Sequence, residues 1–582
     1  MKKILFIFLS FSALSACAAP MPYRMAANSD RILLAAREME NGLEPTADGQ
    51  GNLPTQELTA SIVYRLLLAE IAAQRGRLNV ATATYLDLAK STKDPRIAQR
   101  ATEIAVYGRQ PAEALEAAKL WSEADPQSQQ ARQIIVSVLL SQGKFSDARP
   151  YLQKMLSGEE PQVRQGFMEL NAMLARQNDK RGALELAQQL AQPHPKMAEA
   201  HYAIAQTALG ATQNDLALSE VKQANELKPG WDAGALLQAQ ILWQANREEA
   251  VKYYDQFLAS YPNSNEVRLS YARLLASQKN IPGARAQLET LVKASPDNPG
   301  MLATAGMLSG QLQDYAAAES YLTRALKANP RDPDAIRFTL GQVNEEQKRY
   351  GDAATWYASV EAGEQYFSSQ VKVASMLAKQ NKLGEARAHL SGLKTESDAQ
   401  KVQLVMADAG VLREVKAYQE SFDRLDTGLK QFPDNPDLLY DRAMAAEKVN
   451  RIDVLEADLR KLITLKPDHA HAYNALGYTL ADRTTRYAEA AEFISKALEF
   501  SPDDPFIVDS LGWVQFKQGK LDESIATLQR AFDIRPDPEI AAHLGEAMWA
   551  KGKRSEASKI WQTALRDHPE NEALNEVVKR LK

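Results

Sequence analysis

A chain of 582 residues exceeds any single compact core, so several domains or a repeat array are expected. Apolar content of 45% and charged content of 25% belong to an ordinary folded protein. A net charge of −5 argues against nucleic acid, which demands clustered Lys and Arg, and a single cysteine excludes a disulfide framework or thiolate metal site within the chain.

The chain opens with Lys2-Lys3, an apolar run from Ile4 to Leu14 and the small residues Ser15 and Ala16. That order reads as a secretory signal over residues 1–16, too short to span a bilayer. Leu14-Ser15-Ala16-Cys17 resembles a bacterial lipobox, which implies that Cys17 is acylated (palmitate) and becomes the mature N-terminus. Ala18 rather than Asp after it implies sorting to the outer membrane, lipid-anchored on the periplasmic face. Each buried acyl CH₂ contributes about 0.8 kcal/mol, so several chains anchor a protein essentially permanently. Residues 17–58 then read as acylated cysteine, tether and short helix. Ser29-Asp30 can cap a helix with Ile32, Leu33, Ala36 and Met39 on one side, ending at Asn41-Gly42. Leu43 to Gln56 is loop by its Gly, Pro and Asn content.

A repeat array is expected over residues 59–569. Its clearest unit, Pro505 to Pro536, reads as two amphipathic helices joined at Gly519-Lys520. Val508, Leu511 and Gly512 take places 4, 7 and 8; Ser524, Leu528 and Ala531 take places 20, 24 and 27. A first unit carries Ala69, Gly76, Ala81, Tyr85 and Leu88 at places 8, 15, 20, 24 and 27. Closing prolines then keep time at Pro195, Pro229, Pro262, Pro296 and Pro330, and again at Pro433, Pro467, Pro502, Pro536 and Pro569. Between Pro330 and Pro433 the beat is lost, yet Gly341 with Ala353, Ala374 with Ala386 and Ala409 with Ser421 still sit twelve apart. The final segment, 570–582, puts Ala573, Leu574, Val577, Val578 and Leu581 on one side and reads as a capping helix.

This spacing resembles the tetratricopeptide repeat (TPR) family, where a small residue at place 8 lets the two helices lie close. The resemblance implies an all-α fold: a right-handed solenoid of about fifteen helix-turn-helix units with a C-terminal cap. It also implies that the first helix of each pair lines a concave groove with places 2, 5, 6, 9, 12 and 13. In the last three units those places yield His471, Asn474 and Tyr478; Phe506, Asp509, Trp513 and Phe516; and His543, Glu546 and Trp549. Aromatic anchors there suit an extended or helical protein segment. Trp513 and Trp549 either line that groove or pack between units. The family's clamp for a terminal carboxylate is matched only by Asn474, and Asp509 and Glu546 would repel an anion, so that function is not carried over.

Catalytic motifs, P-loops and dinucleotide fingerprints do not occur, so no enzyme and no cofactor is expected. His469 and His471 are two apart and share no helix face, which argues against a metal site. Asp332, Asp334, Asp503 and Asp504 read as helix caps rather than cation ligands. Gly306 and Gly310 read as packing positions. Leu58 to Gln110, with DSLGWVQFKQGKLDES, resembles a set of proteobacterial outer-membrane TPR lipoproteins, one of which is an adaptor that brings substrates to a periplasmic carboxyl-terminal processing protease. That likeness implies a protein-binding adaptor whose partners are a protease or envelope enzyme and its substrates. An assembly factor for a secretion, pilus or polysaccharide-export system is the alternative, and self-association of the array stays open.

Overall fold

The computed structural model describes Pro54 and residues 57–581. The signal expected at 1–16, the acylation expected at Cys17 and the helix expected after Ser29-Asp30 all fall outside the described residues. Among the described residues there are 31 helices and no strand. They form fifteen hairpins followed by one further helix, as the spacing predicts.

One compact unit ends at Ala294. Its hairpins are α1 (Ala60–Gln74) with α2 (Leu78–Thr92), α3 (Pro95–Tyr107) with α4 (Pro111–Ala124), and α5 (Gln129–Ser141) with α6 (Phe145–Met155). Next come α7 (Glu160–Ala175) with α8 (Lys180–Ala191), and α9 (Ala198–Gly210) with α10 (Asn214–Leu227). The unit closes with α11 (Asp232–Ala245) and α12 (Arg247–Ser260), then α13 (Asn265–Ser277) and α14 (Ile281–Ala294).

The second unit begins at Ser295. It holds α15 (Pro299–Gln311) with α16 (Tyr315–Lys327), α17 (Pro333–Glu346) with α18 (Tyr350–Ala358), and α19 (Tyr366–Lys379) with α20 (Leu383–Gly392). Then follow α21 (Asp398–Glu414) with α22 (Tyr418–Gln431), and α23 (Pro436–Lys448) with α24 (Ile452–Leu465). Last are α25 (Ala470–Arg483) with α26 (Tyr487–Phe500), α27 (Pro505–Lys517) with α28 (Leu521–Ile534), α29 (Pro538–Ala550) with α30 (Arg554–Asp567), and the single α31 (Glu572–Leu581).

Local chemistry sets the helix ends. Asp332 accepts from the Ala335 N–H, and Asp504 from those of Phe506 and Ile507, so these carboxylates are caps. In most hairpins the tight turn uses one left-handed residue, supplied at place 15 by Gly519 (φ 79°) and in others by Gln313 or Lys416 (φ 59° and 64°). Close approach at place 8 is equally plain. A Cβ on Gly512 would fall 2.6 Å from Leu528 Cγ, and one on Gly545 2.0 Å from Trp561 Nε1. At place 20, Ser524 and Ser421 are buried and donate to the place-8 carbonyls of Gly512 and Ala409, at 2.8 and 2.9 Å.

Successive hairpins are tied by a recurrent bond that the proline count did not reveal. Lys154, Arg324, Lys461 and Arg530 each donate to a carbonyl 28 residues earlier, those of Pro126, Pro296, Pro433 and Pro502, at 2.7–3.0 Å. Where the prolines lapse, the second helices are short: α18 has 9 residues and α20 has 10. The twelve-apart pairs there are nonetheless buried in the core, including Ala353, Ala374, Ala386, Ala409 and Ser421. The last helix, α31, packs on α29 and α30 through Leu574, Val577, Val578 and Leu581.

Candidate functional site

First helices of successive hairpins touch directly, α25 with α27 and α27 with α29. Side chains facing their neighbours along this row meet across units. Tyr478 of α25 even reaches His543 of α29, two hairpins on, with ring centroids 6.2 Å apart. The structure therefore brings Tyr478, Asp509, Trp513, Phe516 and His543 into one cluster.

Trp513 is its centre and is 6% exposed. Its ring stacks on His543 at 4.2 Å and on Phe516 at 5.0 Å. Its Nε1–H donates to Asp482 at 3.3 Å, and the Lys517 ammonium lies 4.8 Å over the ring and 3.4 Å from the same carboxylate. Of the two alternatives for Trp513, packing between units is what occurs. Trp549 also packs, half-buried, against its own hairpin, 5.6 Å from the Trp561 ring with Arg554 over its face at 5.2 Å.

The other positions are dispersed. Phe506 is covered by the Arg535 guanidinium at 5.2 Å, and Glu546 accepts from Arg580 of the last helix at 2.6 Å. His471 is exposed. Asn474 has its side-chain oxygen buried without a hydrogen-bond partner among the described residues. His469 caps α25, its Nδ1 accepting from the Ala472 N–H at 3.1 Å, and stands 5.6 Å from Tyr440. Among the described residues, no group of three or more His, Cys, Asp or Glu is placed to hold a metal ion.

The cluster is acidic. Burial, reinforced by Asp482, Asp509, Glu539 and Glu447, pushes the Tyr478 hydroxyl well above its usual range. Burial likewise raises the Glu539 carboxyl. For His543, desolvation pulls the imidazolium down, but Asp509, bonded to its Nδ1 at 2.8 Å, outweighs this with help from Glu539 and Glu546, so the net shift is upward. Asp509 and Glu546, expected to repel anions as bare carboxylates, are thus each engaged by a partner, the His543 imidazole and the Arg580 guanidinium. Sequence reasoning passed over Asp482, Lys517 and Glu539. Place 13 names the first two and place 2 the third, so the signal was in the same groove rule.

Tetratricopeptide repeat models match residues 236–299, 304–367, 440–505 and 509–538. A TPR repeat-containing protein, PA4667 of Pseudomonas aeruginosa, is 34% identical over 485 residues, covering 83% of this chain and 82% of that protein. Cellulose synthase operon protein C of Pseudomonas fluorescens is 23% identical over 336 residues, 54% of this chain but only 26% of that protein. Among solved structures, a TPR protein from Thermus thermophilus aligns at 21% identity and a TM-score of 0.29, covering 31% of this chain and 97% of that one. Yeast Tom70 aligns at 14% identity and a TM-score of 0.32, covering 89% of this chain and 99% of that one.

Proposed function

Since the chain belongs to the tetratricopeptide repeat family, we propose that it is a non-enzymatic adaptor: a protein-binding scaffold, anchored through acylated Cys17 to the outer membrane and facing the periplasm. In this reading it presents substrates to a carboxyl-terminal processing protease. The observation that carries the binding surface is the row of first helices α25, α27 and α29, which touch in succession and enclose a buried aromatic and acidic cluster as a packed floor, with His471 exposed on α25 seven residues before Tyr478. A rigid floor lowers the entropy lost on binding an extended segment. The lipobox-like Leu14-Ser15-Ala16-Cys17 supports the anchor.

Co-purification from detergent-solubilised envelopes tests it. A periplasmic protease should be enriched with the unsubstituted chain and lost with His471→Ala/Phe516→Ala, while Cys17→Ser should release the protein from the membrane fraction. Absence of any protease or hydrolase refutes the adaptor role. The likeness to a cellulose synthase operon protein favours a second reading, an assembly factor for polysaccharide export. It predicts loss of a surface polysaccharide on deletion, with no protease in the eluate.

A further inference from the structure

Asp509 and His543 take the same place, 5, in successive hairpins, so packing α27 on α29 sets one against the other. His543 Nδ1 lies 2.8 and 3.1 Å from the two oxygens of Asp509, which is almost wholly buried. The same imidazole stacks on Trp513 of α27 and reaches Tyr478 of α25, so one ring joins three successive first helices. Asp482 has the Lys517 ammonium and Glu546 the Arg580 guanidinium, but Asp509 has no partner besides His543 among the described residues.

Loss of a proton from His543 would keep this geometry and change its electrostatics. A neutral ring still donates Nδ1–H to Asp509, yet the buried carboxylate then faces no cation, and the indole stacks on an uncharged ring. Other charges nearby do not replace the lost one. On α25 they are Asp482 and the Tyr478 hydroxyl, and on α27 Lys517, 3.4 Å from Asp482. On α29 itself they are Glu539 and Glu546, and on α31 Arg580, bonded to Glu546 at 2.6 Å. The remaining neighbours, α28 and α30, meet α29 through apolar side chains such as Leu528, Phe532, Ala557 and Trp561. Without the imidazolium, Asp482, Asp509, Glu539 and Glu546 are answered only by Lys517 and Arg580 among the described residues.

We infer that His543 is a proton-operated joint of the array: protonated, it clamps α25, α27 and α29 into one row, and neutral, it lets α29 open locally from α27. This joint does not depend on the adaptor reading or on any partner. Desolvation favours the neutral ring, but Asp509, with Glu539 and Glu546, outweighs it and holds the proton above the ordinary 6.5. The clamp is therefore complete below pH 6.5 and is released as pH rises through the folded value.

Hydrogen exchange on the full chain, corrected for the intrinsic effect of pH, tests the joint. From about pH 6 to about pH 9 the α29 amides should lose about tenfold in protection while those of α15 keep theirs. In Asp509→Asn and in His543→Gln that pH dependence should vanish, with α15 protection reporting that the chain is still folded. The Cε1–H resonance of His543, assigned by its absence from His543→Gln, should titrate with a midpoint above 6.5 in the unsubstituted chain and a lower one in Asp509→Asn. Protection of α29 that does not change with pH would overturn the inference. So would a pH dependence that survives in His543→Gln, or a His543 midpoint at or below 6.5.

Discussion

Gly545→Ala tests the close approach on which the hairpins depend. The added Cβ would lie 2.0 Å from Trp561 Nε1, 2.4 Å from Cε2 and 2.7 Å from Cδ1. Trp561 has no room to yield: it is 0% exposed, its Nε1–H points to the Ala542 carbonyl at 3.4 Å, and its ring meets Trp549. Overpacking costs about 1–3 kcal/mol and the displaced indole bond about 1 kcal/mol, against a helix-propensity gain of about 1 kcal/mol for Ala over Gly. A net destabilisation of about 1–3 kcal/mol is expected. Urea unfolding followed by tryptophan fluorescence, with hydrogen exchange to localise the loss to α29 and α30, measures it. Gly410→Ala is the control, since its nearest non-local atom is the end of Arg413 at 3.9 Å. That change should be neutral or stabilising by up to about 1 kcal/mol. The double variant Gly545→Ala/Trp561→Phe should regain part of the loss, with a coupling of about 0.5–3 kcal/mol. Equal stability of Gly545→Ala and the unsubstituted chain would refute the reasoning.

Other expectations follow from single contacts. Ser524→Ala removes a buried donor to the Gly512 carbonyl without orphaning a group, so thermal unfolding should show a loss of about 0.5–1.5 kcal/mol. His543 has a folded pKa raised above its ordinary 6.5, so the folded state holds the proton more tightly. Its contribution is complete below pH 6.5 and is lost as pH rises through the folded value, and Asp509→Asn should flatten that part of the stability–pH curve. Glu539, also raised, gives the same sign beginning near pH 4.5. Arg413 is the ion partner of buried Asp441, at 3.3 Å. Burial already raises the Asp441 carboxyl despite Arg413, so Arg413→Met should cost about 3–5 kcal/mol at pH 7, and the cost should shrink as pH falls and the stranded carboxylate takes up a proton.

The hairpins were legible because their determinants are local. Gly512 and Ser524 lie twelve residues apart and fix one close contact, so their recurrence counts the units even where prolines vanish between Pro330 and Pro433. Trp513 was not legible in that way. Its neighbours are Asp482, 31 residues earlier, and His543, 30 residues later, and only the stacking of three hairpins decides that the ring is enclosed. The same holds for the bonds to the closing-proline carbonyls, whose donors and acceptors belong to successive hairpins. On α1, Tyr64, Leu67, Leu68 and Ile71 are exposed although they have the spacing of a buried stripe, because spacing alone does not say which of two apolar sides meets the next hairpin.

Photo-cross-linking in the cell addresses the binding surface itself. A photoreactive residue at exposed His471 on the first-helix row should join the chain to a protein partner, whereas one at exposed Ser495 on the second helix α26 should not. An adduct at Ser495 with none at His471 would contradict the assignment of that row as the surface where this scaffold binds.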